Sequence, residues 1–308
     1  MKLLDRRTVV GGGVALGAAA LLGPGTSAAK TAGDFPDVLA IEGPDAFASA
    51  LRSVEALGGI GRFVPRGAKV GLLINGPKYW RLEGSYTRPE LALAIAKLCL
   101  DAGAKQVTLL SPLAPGYWKR TSMAEKESDV IRALRESQLE RVERKIAKGV
   151  SLKTASVSKD LLESEVFINL PIAKHHRGAR LTGNLKNFMG ALSRDTCKFF
   201  HEGSTKGEED PDFLAQCIAD ANTLRKPDLC VTDATVVLAT NGPAGPGDLL
   251  RAGKVVAGVD PVAVDAYAAR LHGVKVTDVP MLAMAVGHGL GRAELSQLVV
   301  RELSAASR

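Results

Sequence analysis

The sequence has 308 residues, of which 46% are hydrophobic, 24% charged and 5% aromatic, with a formal charge of +7. That balance excludes a chain disordered throughout, and the length supplies one sizeable core or two modest ones. The positive excess is mild and lacks interleaved aromatics, so no nucleic-acid partner is expected.

The chain begins with DRRTVVGGGVALGAAALLGPGTSAA, in which Arg6-Arg7 precede an apolar stretch and then small residues suited to cleavage. This resembles a twin-arginine export signal. From Val9 to Leu22 a helix would span only about 21 Å, short of the roughly 30 Å hydrocarbon core. No permanent membrane span is therefore expected. Gly11, Gly12, Gly13 and Gly17 also weaken the hydrophobicity of the stretch, which suits the twin-arginine machinery better than the general secretory route. Residues 1–29 are read as a signal peptide cleaved near Ala28 or Ala29, and residues 30–308 as a single α/β domain. The expected location is the periplasm, or another compartment reached by the twin-arginine route.

In the body, AKVGLLING reads as a buried strand, RPELALAIAKLCLDAGA as a helix and KQVTLLSP as a second strand. Pro89 suits a first helical turn and Gly103 a C-terminal cap. The charged segment from Tyr117 to Lys159 follows, and within it SDVIRALRESQLERVERKIAKG mixes arginine and glutamate as a solvated helix would. It is taken as a helical insertion. Beyond it, DLLESEVFINLPI and DFLAQCIADANTLRKPDLCVTDA each give a helix and a strand, and KVVAGVDPVAVDAYAARLHG gives a strand and a helix. The alternation predicts an α/β fold, a largely parallel sheet with helices on both faces.

Basic residues gather in INLPIAKHHRGARLTGNLKNFMGAL, just after the strand VFINL. Functional groups in open α/β sheets collect at the carboxyl ends of strands, so Lys174, His175 and His176 are well placed. Imidazoles can bind a metal or move protons near neutral pH, and a lysine can hold an anion or, when desolvated, act as a base. Gly183 and Asn184 read as a helix start whose backbone donors would welcome an anion. The loop TNGPAGPGD either folds over the same strand ends or is an inert turn. Asp233, Asp260 and Asp265 sit at or just beyond strands, although Asp260, directly before Pro261, also reads as a helix cap. Cys99, Cys197, Cys217 and Cys230 are widely spaced, so no iron–sulfur cluster is expected.

Four separated segments, FINLPIAKHH, LTGNLKNFMGAL, PDLCVTDATVVLATNGPAGPG and VVAGVDPVAVDA, follow one another as in the family called domain of unknown function 362. The chain resembles that family over roughly Lys69 to Gly273. The resemblance implies an α/β fold and leaves the activity open. Some members carry fused ferredoxin-type cysteine clusters, and this chain has none. It also departs where the family often ends its first strand with Lys-Pro-Asn, since Leu73, Ile74 and Asn75 stand there. The family's Lys-x-His pattern falls on Lys174 and His176, and its Lys-Asn pair on Lys186 and Asn187. The residue types are also weakly similar to those of lactate-racemase-like proteins.

These readings make Lys174, His176 and Lys186 the expected catalytic residues, with Asn187, Arg180, Asp233 and Asp260 binding a small anionic substrate. His176 and His201, with a carboxylate, are the expected ligands of a divalent metal. Two functions stand open: an exported enzyme that moves a proton beside a bound anion, and a non-catalytic periplasmic anion- or metal-binding or maturation protein.

Overall fold

The computed structural model describes residues 35–76, 82–203 and 210–306, so the export-type N-terminus lies outside the described residues. Strand β1 (Val38–Glu42) leads into helix α1 (Ala46–Ala56), whose start is fixed by Asp45 accepting from the Phe47 and Ala48 amides. Strand β2 (Lys69–Ile74), helix α2 (Pro89–Asp101) and strand β3 (Gln106–Leu109) form the expected parallel β-α-β unit. Pro89 opens its helix, and Gly103 adopts the left-handed backbone just past the end.

The charged insertion is helical only at its start, in α3 (Met123–Lys126) and α4 (Ser128–Ala133). From Leu134 the chain turns to strand. Leu134–Glu136 (β4) joins the edge of the sheet beside β3, and β5 (Arg141–Lys145) pairs antiparallel with β6 (Thr154–Ser158). One long solvated helix is therefore the wrong reading of residues 128–149. Both β4 and β5 are partly or fully exposed along their length, so they lack the apolar alternation that marks a half-buried strand.

Helix α5 (Lys159–Glu163), capped by Ser158, precedes β7 (Val166–Leu170), in which all five residues are buried. A short hairpin of β8 (Lys174–His176) and β9 (Arg180–Thr182) then passes into α6 (Asn184–Asn187), α7 (Arg194–Glu202) and α8 (Pro211–Asn222). Strand β10 (Leu229–Ala234) follows, and β11 (Val237–Leu238) and β12 (Leu249–Leu250) pair on either side of the Gly/Pro-rich loop. The chain ends its described part with β13 (Lys254–Gly258), α9 (Pro261–Leu271), α10 (Pro280–Gly287) and β14 (Val300–Ser304).

Eight strands form one sheet in the order β14-β1-β13-β10-β7-β2-β3-β4. Every neighbouring pair is parallel except the two that involve β13, which runs against β1 and β10. Alternate side chains feed two cores. Phe167, Val256 and Leu73 pack with α8, α9 and α10 on one face, while Ile168, Val255 and Leu72 pack with α1 and α2 on the other. Burial on both faces explains the nearly unbroken apolar runs of the central strands. No described helix is long and apolar enough to cross a membrane.

Candidate functional site

The carboxyl ends of β2, β3 and β7 open onto one cleft of about 990 Å³. Ile74, Asn75 and Gly76 leave β2 along one side, and Ser111 and Pro112 follow β3. His175, His176, Arg177 and Thr182 come from the β8–β9 hairpin, Lys186 and Asn187 from α6, and His201 from the last turn of α7. Asn241, Gly242, Pro243 and Ala244 complete the wall, so the Gly/Pro-rich loop does fold over these strand ends. No carboxylate lines the cleft among the described residues.

Close backbone approach holds that loop in place. Gly242 donates its amide to His175 Nδ1 (3.1 Å), and Arg177 donates its own to Gly242 O (3.3 Å). A Cβ on Gly242 would stand 1.8 Å from His175 O, which no side chain tolerates. Helix α6 is held by Asp265, whose Oδ1 accepts from the Asn184 amide (2.6 Å) and side chain (2.9 Å) and whose Oδ2 accepts from the Leu185 amide (3.0 Å). The helix start read as an anion site is thus already filled by the protein's own carboxylate. Burial pushes the Asp265 carboxyl up to about 6 against the pull of these hydrogen bonds.

His176 is almost wholly buried, and its Nδ1 accepts from the Ala179 amide at 3.1 Å. A neutral ring that accepts at Nδ1 carries its proton on Nε2. Burial, followed by the nearby charges of Lys186, His201 and Lys174, lowers its pKa to about 2, so the ring stays neutral. Lys174 is fully buried behind the cleft wall and donates to Ser85 O. Burial, and then the Lys186 ammonium, pull its pKa down to about 6. Lys186 itself lines the cleft, with Nζ 3.3 Å from Met189 Sδ.

The expected metal site does not fit this donor set. A histidine that ligates a metal donates its other ring N–H to a partner, whereas His176 accepts at Nδ1 and so offers a protonated Nε2. Nor do any three His, Cys, Asp or Glu side chains come together to hold an ion among the described residues.

Lys186, His176, Asn187 and His201 come together at the cleft, and Lys174 lies behind it. Asn187 is spent on structure, donating to Leu73 O and Asn169 Oδ1. Arg180 is exposed and lies outside the lining. Asp233 is buried and fully committed: its carboxylate accepts from the Arg88 amide and from the amide and hydroxyl of Thr235, fixing the start of α2. Asp260 lies at the opposite edge. Because β13 is inverted, the residues after it emerge beside the amino end of β1. There Asp260 caps α9 through the Val262 and Ala263 amides and accepts from Arg292 N. Asp260 is therefore withdrawn from the binding set.

Sequence reasoning missed Asn75, Ser111 and Met189 as lining residues. The first two follow the ends of β2 and β3, so the strand-end rule applied there would have found them.

A family model described as domain of unknown function (DUF362) matches residues 71–270. The chain belongs to this family. Among curated relatives, a thylakoid-associated protein of Synechocystis sp. is 29% identical over 224 residues, covering 71% of this chain and 67% of that protein. Two solved structures are similar at low identity. The lactate racemase apoprotein from Thermoanaerobacterium thermosaccharolyticum gives a TM-score of 0.41 at 12% identity, over 72% of this chain and 54% of the other. A protein from Thermotoga maritima gives 0.44 at 13% identity, over 76% and 60%. This DUF362 chain thus spans less than two thirds of either solved protein.

Proposed function

We propose that this DUF362 protein is an exported enzyme that binds a small organic anion in the cleft and moves a proton beside it. The observation that carries the reading is the gathering of Arg177, Lys186 and three histidines on the wall of one cleft. Ammonium and guanidinium groups in a concave site raise the local positive potential and draw anions to it. The Lys186 ammonium supplies charge, and the His176 Nε2–H supplies a neutral hydrogen-bond donor to a ligand oxygen. A neutral imidazole donor can stabilise developing oxyanion charge without giving up its proton. In this reading His201, which also lines the cleft, transfers the proton.

A non-catalytic exported carrier is the second reading, favoured by one observation. Lys174 and His176, the most deeply buried basic groups, are hydrogen-bonded to the backbone, as supports would be. Titration with citrate, benzoate and inorganic phosphate tests the shared premise. At least one should bind, and Lys186→Met should weaken it by about tenfold or more while leaving the melting temperature nearly unchanged. Binding that is indifferent to Lys186 would sink the anion site. Turnover of a bound organic acid then separates enzyme from carrier.

Export by the twin-arginine route belongs to the same proposal. Changing Arg6 and Arg7 to lysine keeps the charge and should leave the precursor in the cytoplasm, as cell fractionation would show. Normal export of that double variant would remove the assignment.

A further inference from the structure

We propose that His175 is a positioning residue that latches the Gly/Pro-rich loop as a flap on the cleft, and that the latched flap slows the departure of a bound anion. The inference rests on the anion-binding reading above. Residues 239–248 are tied largely to one another. Ala239 N donates to Asp248 O (2.8 Å), Asp248 N to Thr240 Oγ1 (2.9 Å), Gly245 N to Asn241 O (3.1 Å) and Asn241 Nδ2 to Pro246 O (3.2 Å). Gly247 passes so close that a Cβ on it would stand 2.2 Å from Thr240 O. A loop that pairs its polar groups internally is a compact body, able to move as one piece without baring them. Its stem is the β11–β12 pair, pinned where Leu238 N donates to Gly84 O (3.0 Å).

The tip of the loop, Asn241 to Ala244, lines the cleft and meets the β8–β9 hairpin at Gly242, which donates to His175 Nδ1 and accepts from Arg177 N. Of these two bonds, the first is the one a side chain controls. His175 and His176 share a tautomer for the same reason, a backbone amide donating to Nδ1. They hold different things. His176 takes its amide from Ala179, three residues on within its own hairpin, whereas His175 takes it from a loop 67 residues further along the chain. Loss of the His175 acceptor therefore acts on the loop. Gly242 is buried, so its N–H would lack that partner whenever the flap is closed, and the penalty favours the open flap. Such closing segments commonly set how fast a ligand leaves.

Amide exchange and ligand dissociation test this in the purified protein. By hydrogen–deuterium exchange NMR without ligand, Gly242 N–H should be protected in the wild type and exchange about tenfold faster or more in His175→Ala. Val231, in the buried strand β10, should be unaffected. Dissociation of 4-fluorobenzoate or inorganic phosphate, followed by fluorine and phosphorus NMR, should quicken by about tenfold or more in the same variant. His175→Asn sets an oxygen where Nδ1 stood and lacks the Nε2–H, so it should restore both protection and slow dissociation. Gly242→Ala breaks the contact from the loop side and should match His175→Ala. Fast dissociation in His175→Asn with Gly242 still protected means that the ring touches the anion itself, which overturns the positioning role. Equal Gly242 exchange in the wild type and His175→Ala overturns the latch, and unchanged dissociation in both His175→Ala and Gly242→Ala overturns the flap. Failure of both probes to bind at millimolar concentration overturns the anion-binding reading and this role with it, and a protected Gly242 amide then places the failure in the site rather than in the latch.

Discussion

Lys174 has an ordinary pKa near 10.5 in an unfolded chain, and burial first and the Lys186 ammonium second bring it to about 6 in the folded one. Between those values the unfolded chain binds the extra proton. Stability must therefore rise with pH across that window, by at most about 1.4 kcal/mol per pH unit from this one group. Lys174→Met keeps much of the volume and removes the titration. Urea melts should show the variant more stable than the wild type near pH 7, with a flatter dependence on pH from about 6.5 to 9. A loss of stability at pH 7 would mean that the hydrogen bond to Ser85 O outweighs the desolvation of the amine. The sequence made Lys174, His176 and Lys186 visible because they follow an apolar strand. It could not show that Ala179 N occupies His176 Nδ1, which arises from the three-residue turn of the hairpin and decides against metal ligation.

Short elements owe their position to distant carboxylates. Helix α6 has only four residues, too few to persist alone, yet it carries Lys186 and Asn187. Asp265, from α9, holds it with both oxygens. Asp265→Asn would turn an NH2 toward either the Asn184 or the Leu185 amide, setting donor against donor. We expect a loss of roughly 2–3 kcal/mol in chemical denaturation, together with weaker anion binding, because Lys186 moves with its helix. An unchanged denaturation midpoint would show that water replaces the carboxylate. Asp220 acts likewise, accepting from three consecutive amides at Val150, Ser151 and Leu152. Neither pairing was legible, since 80 and about 70 residues separate the partners. Elements with an apolar face were legible: β2, α2 and β3 appeared where the pattern put them. Exposed β4 and β5 were misread because charge spacing alone does not distinguish a solvated strand from a solvated helix. The inverted β13 was hidden too, because a buried strand has the same apolar run in either direction, and Asp260 was misassigned for that reason.

At the scale of the whole molecule, the two cores share one sheet, and adjacent residues of β7 serve opposite faces. Phe167 packs with α8, α9 and α10, whereas Ile168 packs with α1 and α2. Neither core can keep its wall if the sheet dissolves, so residues 30–308 are expected to unfold as a single domain. Trp118 packs beside the Ile168 core, and the sequence has one other tryptophan, Trp80. In a Trp80→Phe background, Trp118 fluorescence therefore reports on one face alone. Phe167→Ala, on the far face, should cost about 3–5 kcal/mol and Ile168→Ala about 2–5 kcal/mol. Both should lower the midpoint seen by Trp118, and each midpoint should coincide with that from far-ultraviolet circular dichroism, which reads helices on both faces. Two independent lobes would behave differently, because Phe167→Ala would then shift the dichroism while leaving the Trp118 transition in place. The same coupling bears on the cleft, part of whose wall follows the ends of the shared strands β2 and β3. Destabilising either core should therefore reduce anion binding only through the fraction of molecules unfolded, with the affinity of the folded protein unchanged.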